Sequence, residues 1–282
     1  MIHPTSLAVN LEPDVSRQTR TVSERISSHA FFGIAVLLFV VSTAETVVCC
    51  HSMSAMGGMM MPGGWTMSMT WMRMPGQTWI EVTASFLVMW IVMMLAMMLP
   101  SFVPILWRYR RFFARKPAIL PGRLTTLVGI GYFFIWALFG LAVFPIGAAT
   151  VSILMEQQVL AQAVPMLAGM AVILAGAIQF TRWKAHWLAC CRQAGRDQML
   201  PARGGAAWGL GLRFGFQCSL SCANLTAILL IVGIMDLRAM AAVTAAITAE
   251  RLAPGGARVA RAIGAVVMGA GLFLTVKAIA LG

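Results

Sequence analysis

The chain alternates between long apolar runs and shorter polar segments. A helix of about twenty apolar residues rises about 30 Å, which matches the hydrocarbon core of a bilayer. Backbone polar groups inside a bilayer must be satisfied within their own element, so we predict that the runs are helices. The predicted fold class is all-α, a polytopic transmembrane helical bundle. The long runs are residues 31–50, 79–107, 124–151, 165–189, 214–235 and 263–281.

A shorter run at residues 239–249 decides the predicted topology. It has few residues for a crossing, but seven crossings place every basic segment on the cytoplasmic side, as the positive-inside rule requires. We therefore expect about seven helices, with the N-terminus cytoplasmic and the C-terminus external. Six crossings with a re-entrant segment are the alternative. The basic segments are the N-terminal tail and residues 108–123, 182–203 and 251–261.

We predict a disordered cytoplasmic tail over residues 1–30 and a single transmembrane domain over residues 31–282. The tail is polar and has little apolar periodicity. The first apolar run is longer than the core of a cleavable signal peptide, so we expect a retained signal anchor. An external loop then spans residues 51–78. Small residues in the last two runs let backbones approach closely, which predicts that both runs are buried in the bundle.

The amino-acid composition limits the class of protein and the kind of metal ion that the chain is expected to bind. Apolar residues make up 60% of the chain and charged residues only 11%, which excludes a soluble domain. The net charge of +12 is explained by basic loops, so we expect no nucleic-acid partner. Twenty-two Met and six Cys, against nine acidic residues and four His, favour soft metal ions over hard cations.

The external loop is rich in methionine, with nine of the 22 Met. Neutral thioethers bind Cu(I), so we predict that the loop captures this ion, with Cys49, Cys50 and His51 at the end of the first helix. The alternative is an apolar lid at the membrane interface. The candidate ligands in the loop are Met53, Met56, Met59, Met60, Met61, Met67 and Met69.

Two features inside the predicted bundle extend this chemistry. Met89, Met93 and Met97 recur every four residues, which places them on one stripe of the second helix. Such a stripe offers weak sites for a moving ion, and packing between helices is the alternative. Glu45 lies within the first run, where a carboxylate usually faces a cavity or a partner.

A second set of candidate ligands lies on the fourth and fifth predicted helices. His186 precedes Cys190 by four residues, and Cys218 precedes Cys222 by four, so each pair shares a helix face. We expect His186, Cys190, Cys218 and Cys222 to meet one ion near the cytoplasmic surface, with Cys191 adjacent. Three sulfurs and a nitrogen suit Cu(I) or Zn(II). Unligated packing and redox thiols are the alternatives, and the neighbouring Lys184 and Arg192 are expected to be membrane anchors.

Several motifs together resemble a bacterial family of uncharacterised, predicted metal-binding integral membrane proteins. The motifs are PGQTW, WIVMMLAMMLPS, WKAHWLACCR and the stretch from CSLSCANL to MDLRAMAAVTAAITAER, and the resemblance covers roughly residues 30–281. It implies a metal site. Members often have Cys and Trp where this chain has Ser221 and Ala223, so one ligand of the family pattern is absent.

These observations predict a metal-handling protein of the bacterial inner (cytoplasmic) membrane, a multi-pass protein that binds Cu(I) for transport or delivery. The alternatives are a thiol redox membrane protein and a structural accessory subunit of a larger complex. No catalytic residues are apparent, and a non-enzymatic role is favoured. Copper as Cu(I) is the expected metal, with zinc as the second choice. The expected partners are the lipid bilayer, a periplasmic or membrane protein that donates or accepts the metal, and a second copy of the chain.

Overall fold

The structure is a computed structural model that describes residues 8–55, 57–62, 64–67, 69–73, 76–114, 121–193 and 204–281. Over these residues the chain forms eight α-helices and one short hairpin, which confirms the predicted all-α class. The helices are α1 (Ala8–Ala55), α2 (Trp79–Ala114), α3 (Pro121–Glu156), α4 (Gln158–Ile178), α5 (Arg182–Gln193), α6 (Gly204–Val232), α7 (Leu237–Leu252) and α8 (Gly256–Leu281). The antiparallel hairpin consists of β1 (Met59–Met61) and β2 (Trp65–Met67).

Six of the described helices are long and apolar enough to span a membrane, which agrees with a multi-pass membrane bundle. They are α1, α2, α3, α4, α6 and α8. The short run of the sequence is α7, which has 16 residues and therefore a length of about 24 Å. It is shorter than an ordinary membrane span.

Helix α7 nevertheless returns the chain from one end of the bundle to the other. Near its start, Met240 lines a cavity with Cys50 of α1. At its last turn, Glu250 forms an ion pair with Lys184 of α5. We call these the methionine-loop end, which carries residues 51–78, and the basic end, which carries α5. This path is the one that seven crossings require, and the membrane topology itself stays a prediction.

The N-terminal segment differs from the predicted disordered tail, because α1 begins at Ala8 and continues through the first apolar run. Residues 1–7 lie outside the described residues. The stretch between Ala8 and Phe32 contains no glycine. Once the apolar part of the helix has formed, each further residue adds one hydrogen bond without a new nucleation cost.

The segment that carries His186, Cys190 and Cys191 is a separate helix, and the prediction that it closes the fourth transmembrane helix is wrong. Helix α4 ends at Ile178, and α5 begins at Arg182 after a short turn. The hydroxyl oxygen of Thr181 accepts a hydrogen bond of 3.3 Å from the backbone N–H of Lys184, as in an N-cap. The new helix is therefore free to take a different direction from α4.

A buried polar network fixes α5 to the rest of the bundle. Lys184 is fully buried, and its Nζ lies 2.8 Å from Oε2 of Glu250 on α7. The same ammonium donates to the carbonyl oxygen of Ser221 on α6. Gln179 donates a hydrogen bond of 2.7 Å to the second carboxylate oxygen of Glu250. Lys184 is thus a structural cation of the core, and its expected role as a membrane anchor is wrong.

Close backbone contacts hold the helix pairs α3–α6 and α4–α8 together. A methyl group on Gly211 of α6 would overlap the carbonyl oxygen of Val128 on α3. On α8, Gly264 and Gly271 approach α4 in the same way. The small residues therefore permit close packing as predicted. The prediction that the last run is buried in the bundle is wrong, because most residues of α8 are exposed.

The expectation that the alanines of α7 form a buried surface is wrong. Ala241, Ala242, Ala245 and Ala249 are exposed, and Ala246 is half-buried. The larger side chains Met240, Val243 and Ile247 occupy the buried face and place Glu250 and Arg251 in the core. Larger apolar groups gain more from burial than alanine, which explains the orientation of the helix.

We expect Gly211→Ala to lower the free energy of unfolding by about 1–3 kcal/mol, because the added methyl group overpacks the α3–α6 contact. Thermal unfolding in detergent measures the effect. Gly209→Ala is the matched control, since Gly209 lies in the same helix and faces open space. It is expected to stabilise by up to about 1 kcal/mol. Equal effects of both variants would contradict the close contact.

Glu250→Gln is expected to destabilise the protein by about 3–5 kcal/mol, because it leaves the Lys184 ammonium buried without a counter-charge. The double variant Lys184→Met/Glu250→Gln removes both charges, and we expect it to recover most of the loss. Thermal unfolding of both variants measures the difference. A double variant as unstable as Glu250→Gln would argue against the ion pair as the cause.

Candidate metal centre

A cluster of sulfur atoms lies in the bundle core where α2, α5 and α6 meet. Cys218 and Cys222 occupy one face of α6, as their spacing predicts, and both are buried. The Sγ of Cys218 lies 3.9 Å from the Sδ of Met98 on α2 and 2.8 Å from the hydroxyl oxygen of Tyr132 on α3. The two α6 thiols lie four residues apart, one helical turn, on this face. We call Met98, Cys191, Cys218 and Cys222 the buried sulfur cluster.

Ser221 connects the third thiol to this group. The Sγ of Cys191 lies 3.4 Å from Oγ of Ser221, and that oxygen lies 3.6 Å from the Sγ of Cys222. Ser221 stands where the resembled family often has cysteine. The position therefore lies between two thiols, and its hydroxyl here serves as a hydrogen-bonding bridge.

The cluster faces a buried positive charge. The guanidinium of Arg251 donates to Oγ of Ser101 at 3.1 Å and to Oγ of Ser221 at 3.4 Å, and it lies 3.8 Å from the Sγ of Cys191. Within the described part of the chain, no carboxylate pairs with Arg251, because the neighbouring Glu250 is turned to Lys184. A buried charge without a counter-ion costs several kcal/mol. The surroundings of Arg251 therefore favour a negative charge on the thiols.

The ionisation of Cys191 reflects two opposing effects. Burial raises the pKa of the Cys191 thiol, and the charge of Arg251 acts against this rise. A metal ion that binds the thiolate must therefore displace a proton from a buried thiol. The nearby guanidinium lowers the cost of the negative charge that is left on sulfur.

The donor set is soft and small. Two sulfurs bound to one ion at about 2.3 Å in a trigonal arrangement lie about 4 Å apart, close to the 3.9 Å between Met98 and Cys218. Over the residues that the structure describes, no three His, Cys, Asp or Glu side chains are grouped to hold one ion. A structural zinc site needs four such ligands. Two thiolates with a thioether are the kind of donor set that selects Cu(I).

His186 and Cys190 do not join this cluster, contrary to the predicted four-ligand set. The Nε2 of His186 lies 3.7 Å from the Sγ of Cys190. His186 is exposed and Cys190 is half-buried. The buried face of α5 is formed by Lys184, Leu188 and Cys191. Since a helix turns 100° per residue, His186 lies on the opposite face, and Cys190 lies at the side of the buried face, about 100° from Cys191.

The candidate ligands at the methionine-loop end lie in a different place. The Sγ of Cys50 is 3.8 Å from the Sδ of Met235, beside the cavity that Met89 and Met93 also line. Cys49 is half-buried and lines the same cavity. His51 is exposed, and Met53 is half-buried.

The hairpin divides the loop methionines. Met61 and Met67 are buried against Val151 and Ala161 of the bundle, which agrees with the lid alternative for these two residues. Met59 and Met60 are exposed. Met56 lies outside the described residues, and Met69 opens a 3₁₀ turn. As metal ligands, all of these residues stay predictions.

Met97 lies on the buried stripe that the sequence predicts for α2. Met93, Met94, Met97 and Met98 are all buried. The sequence analysis did not assign a role at the site to Tyr132, Met235, Met240 or Arg251. The sequence signal that could have indicated a buried Arg251 is the periodicity of α7, because Arg251 shares a helix face with Val243 and Ile247.

The chain is similar to a known protein family. A family model described as a copper chaperone, PpoB2, matches residues 87–274. The match takes in the whole buried sulfur cluster, whereas α1 and the methionine-rich loop lie outside it. No curated protein and no solved structure matches the chain. Since the match covers more than half of the sequence, the chain belongs to the PpoB2 copper chaperone family.

Proposed function

We propose that the protein is a membrane copper chaperone that holds Cu(I) at the buried sulfur cluster and delivers it to a partner protein. The observation that carries the proposal is the group of Met98, Cys218 and Cys222 beside the uncompensated charge of Arg251. Soft sulfur ligands select Cu(I) among the biological metal ions.

Charge supports the monovalent ion. Cu(I) bound to the thiolates of Cys218 and Cys222 carries a net charge of minus one, which Arg251 balances. Zn(II) bound to the same two thiolates is neutral and leaves Arg251 without a counter-charge. The buried guanidinium therefore favours a monovalent ion over a divalent one at this site.

A route for delivery begins at Cys191. A small cleft of about 100 Å³ at the basic end is lined by Cys191, Arg251 and Arg108. An acceptor thiolate that enters this cleft can exchange with the cluster: one sulfur–copper bond forms as another breaks, and copper stays as Cu(I). The released cysteine regains a proton, so no oxidant or reductant is needed.

We expect Cys218→Ser and Cys222→Ser to abolish high-affinity Cu(I) binding at the cluster, because each removes a thiolate ligand. Copper content after anaerobic loading in competition with a Cu(I) chelator measures this. Cys190→Ser is the matched control, since this half-buried thiol contacts His186 and lies outside the cluster, and it should bind copper as the unmodified chain does. Unchanged binding in both α6 variants would overturn the proposed site.

Arg251→Met is expected to weaken Cu(I) binding at least tenfold. Charges about 5 Å apart interact by about 3 kcal/mol at an effective dielectric constant near 20. Arg251→Lys keeps the charge and should retain most of the affinity, and the exposed Arg258→Met is the control. Because Arg251 has no carboxylate partner among the described residues, removing its charge relieves a desolvation cost, and the unfolding temperature should fall little. Equal Cu(I) affinity in Arg251→Met and the control would contradict the charge argument.

A further inference from the structure

A cavity of about 380 Å³ opens at the methionine-loop end of the bundle, between α1, α2 and the start of α7. It lies apart from the buried sulfur cluster, which is near the basic end. Four methionines and two cysteines are among its lining residues: Met89, Met93, Met235, Met240, Cys49 and Cys50.

Two sulfur atoms at this cavity are as far apart as two ligands of one metal ion. The Sγ of Cys50 and the Sδ of Met235 are 3.8 Å apart. This is close to the roughly 4 Å between two sulfurs that bind one metal ion in a trigonal arrangement. Met89 and Met93, four residues apart on α2, line the same cavity and offer further thioethers.

The charges around the cavity favour a cation. No Lys or Arg is among its described lining residues, whereas Glu45 is one of them. A Cu(I) ion bound to one thiolate and neutral thioethers is a neutral unit, so this site needs no buried cation such as Arg251.

Methionines connect the cavity to the buried sulfur cluster. Met93 lines the cavity, and Met98 contacts Cys218. The two residues are five positions apart on α2, which is about 7.5 Å along the helix axis. Met94 and Met97 lie between them and are fully or almost fully buried. An ion can exchange along such a row because each thioether binds weakly.

We infer that this cavity is a second Cu(I) site, with Cys50 and Met235 as its principal ligands, that supplies the buried sulfur cluster through the methionines of α2. The identity of the ion rests on the proposed function, but the residues of the two sites do not overlap. Each site therefore has its own test.

The test is the number of Cu(I) ions bound per full-length chain. The purified protein is titrated with Cu(I) anaerobically against a competing chelator. We expect two equivalents for the unmodified chain, one for Cys50→Ser/Met235→Leu and one for Cys218→Ser/Cys222→Ser. The four-residue combination should bind none at comparable affinity. Met170→Leu is the control for thioether loss, since Met170 is exposed on α4.

Each outcome separates the two sites. If Cys50→Ser/Met235→Leu retains two equivalents, or if the unmodified chain binds a single ion that only the α6 cysteines hold, the second site is overturned and the proposed function stands. If Cys218→Ser/Cys222→Ser retains two equivalents, the proposed function fails. Met235→Leu alone is a conservative replacement that keeps the packing, and it should weaken the second equivalent at least tenfold without changing the unfolding temperature.

Discussion

Glu250 and Arg251 are neighbours on α7, and the division of their partners organises the basic end of the molecule. Glu250 neutralises Lys184 and so holds α5 against α6 and α7. Arg251 is left with hydroxyl groups and the sulfur of Cys191. If Arg251 were also paired with a carboxylate, the thiols would face no uncompensated positive charge. The ion pair thus leaves one positive charge for the sulfur cluster.

This arrangement supports the proposal that a site without a full set of strong ligands holds a metal ion. Low-coordinate Cu(I) needs only two thiolates, and the surrounding protein supplies the missing stabilisation through charge and exclusion of water. Tyr132 and Ser221 hydrogen-bond the sulfur atoms of Cys218 and Cys222. A chaperone must also release its cargo, and a site with few ligands suits release by exchange.

The sequence predicts the helices and the α6 cysteine pair well, because both depend on local periodicity. The sequence does not predict which cysteine of α5 faces the core, because the choice between Cys190 and Cys191 depends on how the helix is rotated about its axis. The buried stripe of α5 includes Lys184, which apolar patterning assigns to the surface. A sequence pattern does not indicate that a lysine is buried unless its charge partner is known. Here the partner, Glu250, lies 66 positions further along the chain. The contact between Met98 and Cys218 joins residues 120 positions apart.

The methionine-rich loop shows a second reason why the sequence alone does not identify the site residues. Its composition indicates soft-metal chemistry, but composition does not separate exposed thioethers from packed ones. The hairpin register separates Met60, which lies beside Thr66, from Met61 and Met67, but it also pairs the exposed Met59 with the buried Met67. Burial of Met61 and Met67 against the bundle then follows from tertiary contacts that no local pattern contains.

The most direct test of the central claim is X-ray absorption spectroscopy at the copper edge on the Cys50→Ser/Met235→Leu variant, loaded anaerobically with one equivalent of Cu(I) so that the cavity at the methionine-loop end does not contribute. Because His186 is turned away from the cluster, we predict a Cu(I) edge and a first coordination shell of two or three sulfur atoms without nitrogen. A shell that contains imidazole nitrogen, or a spectrum that is unchanged when Cys218 and Cys222 are both replaced by serine, would contradict the claim that the buried sulfur cluster holds the ion.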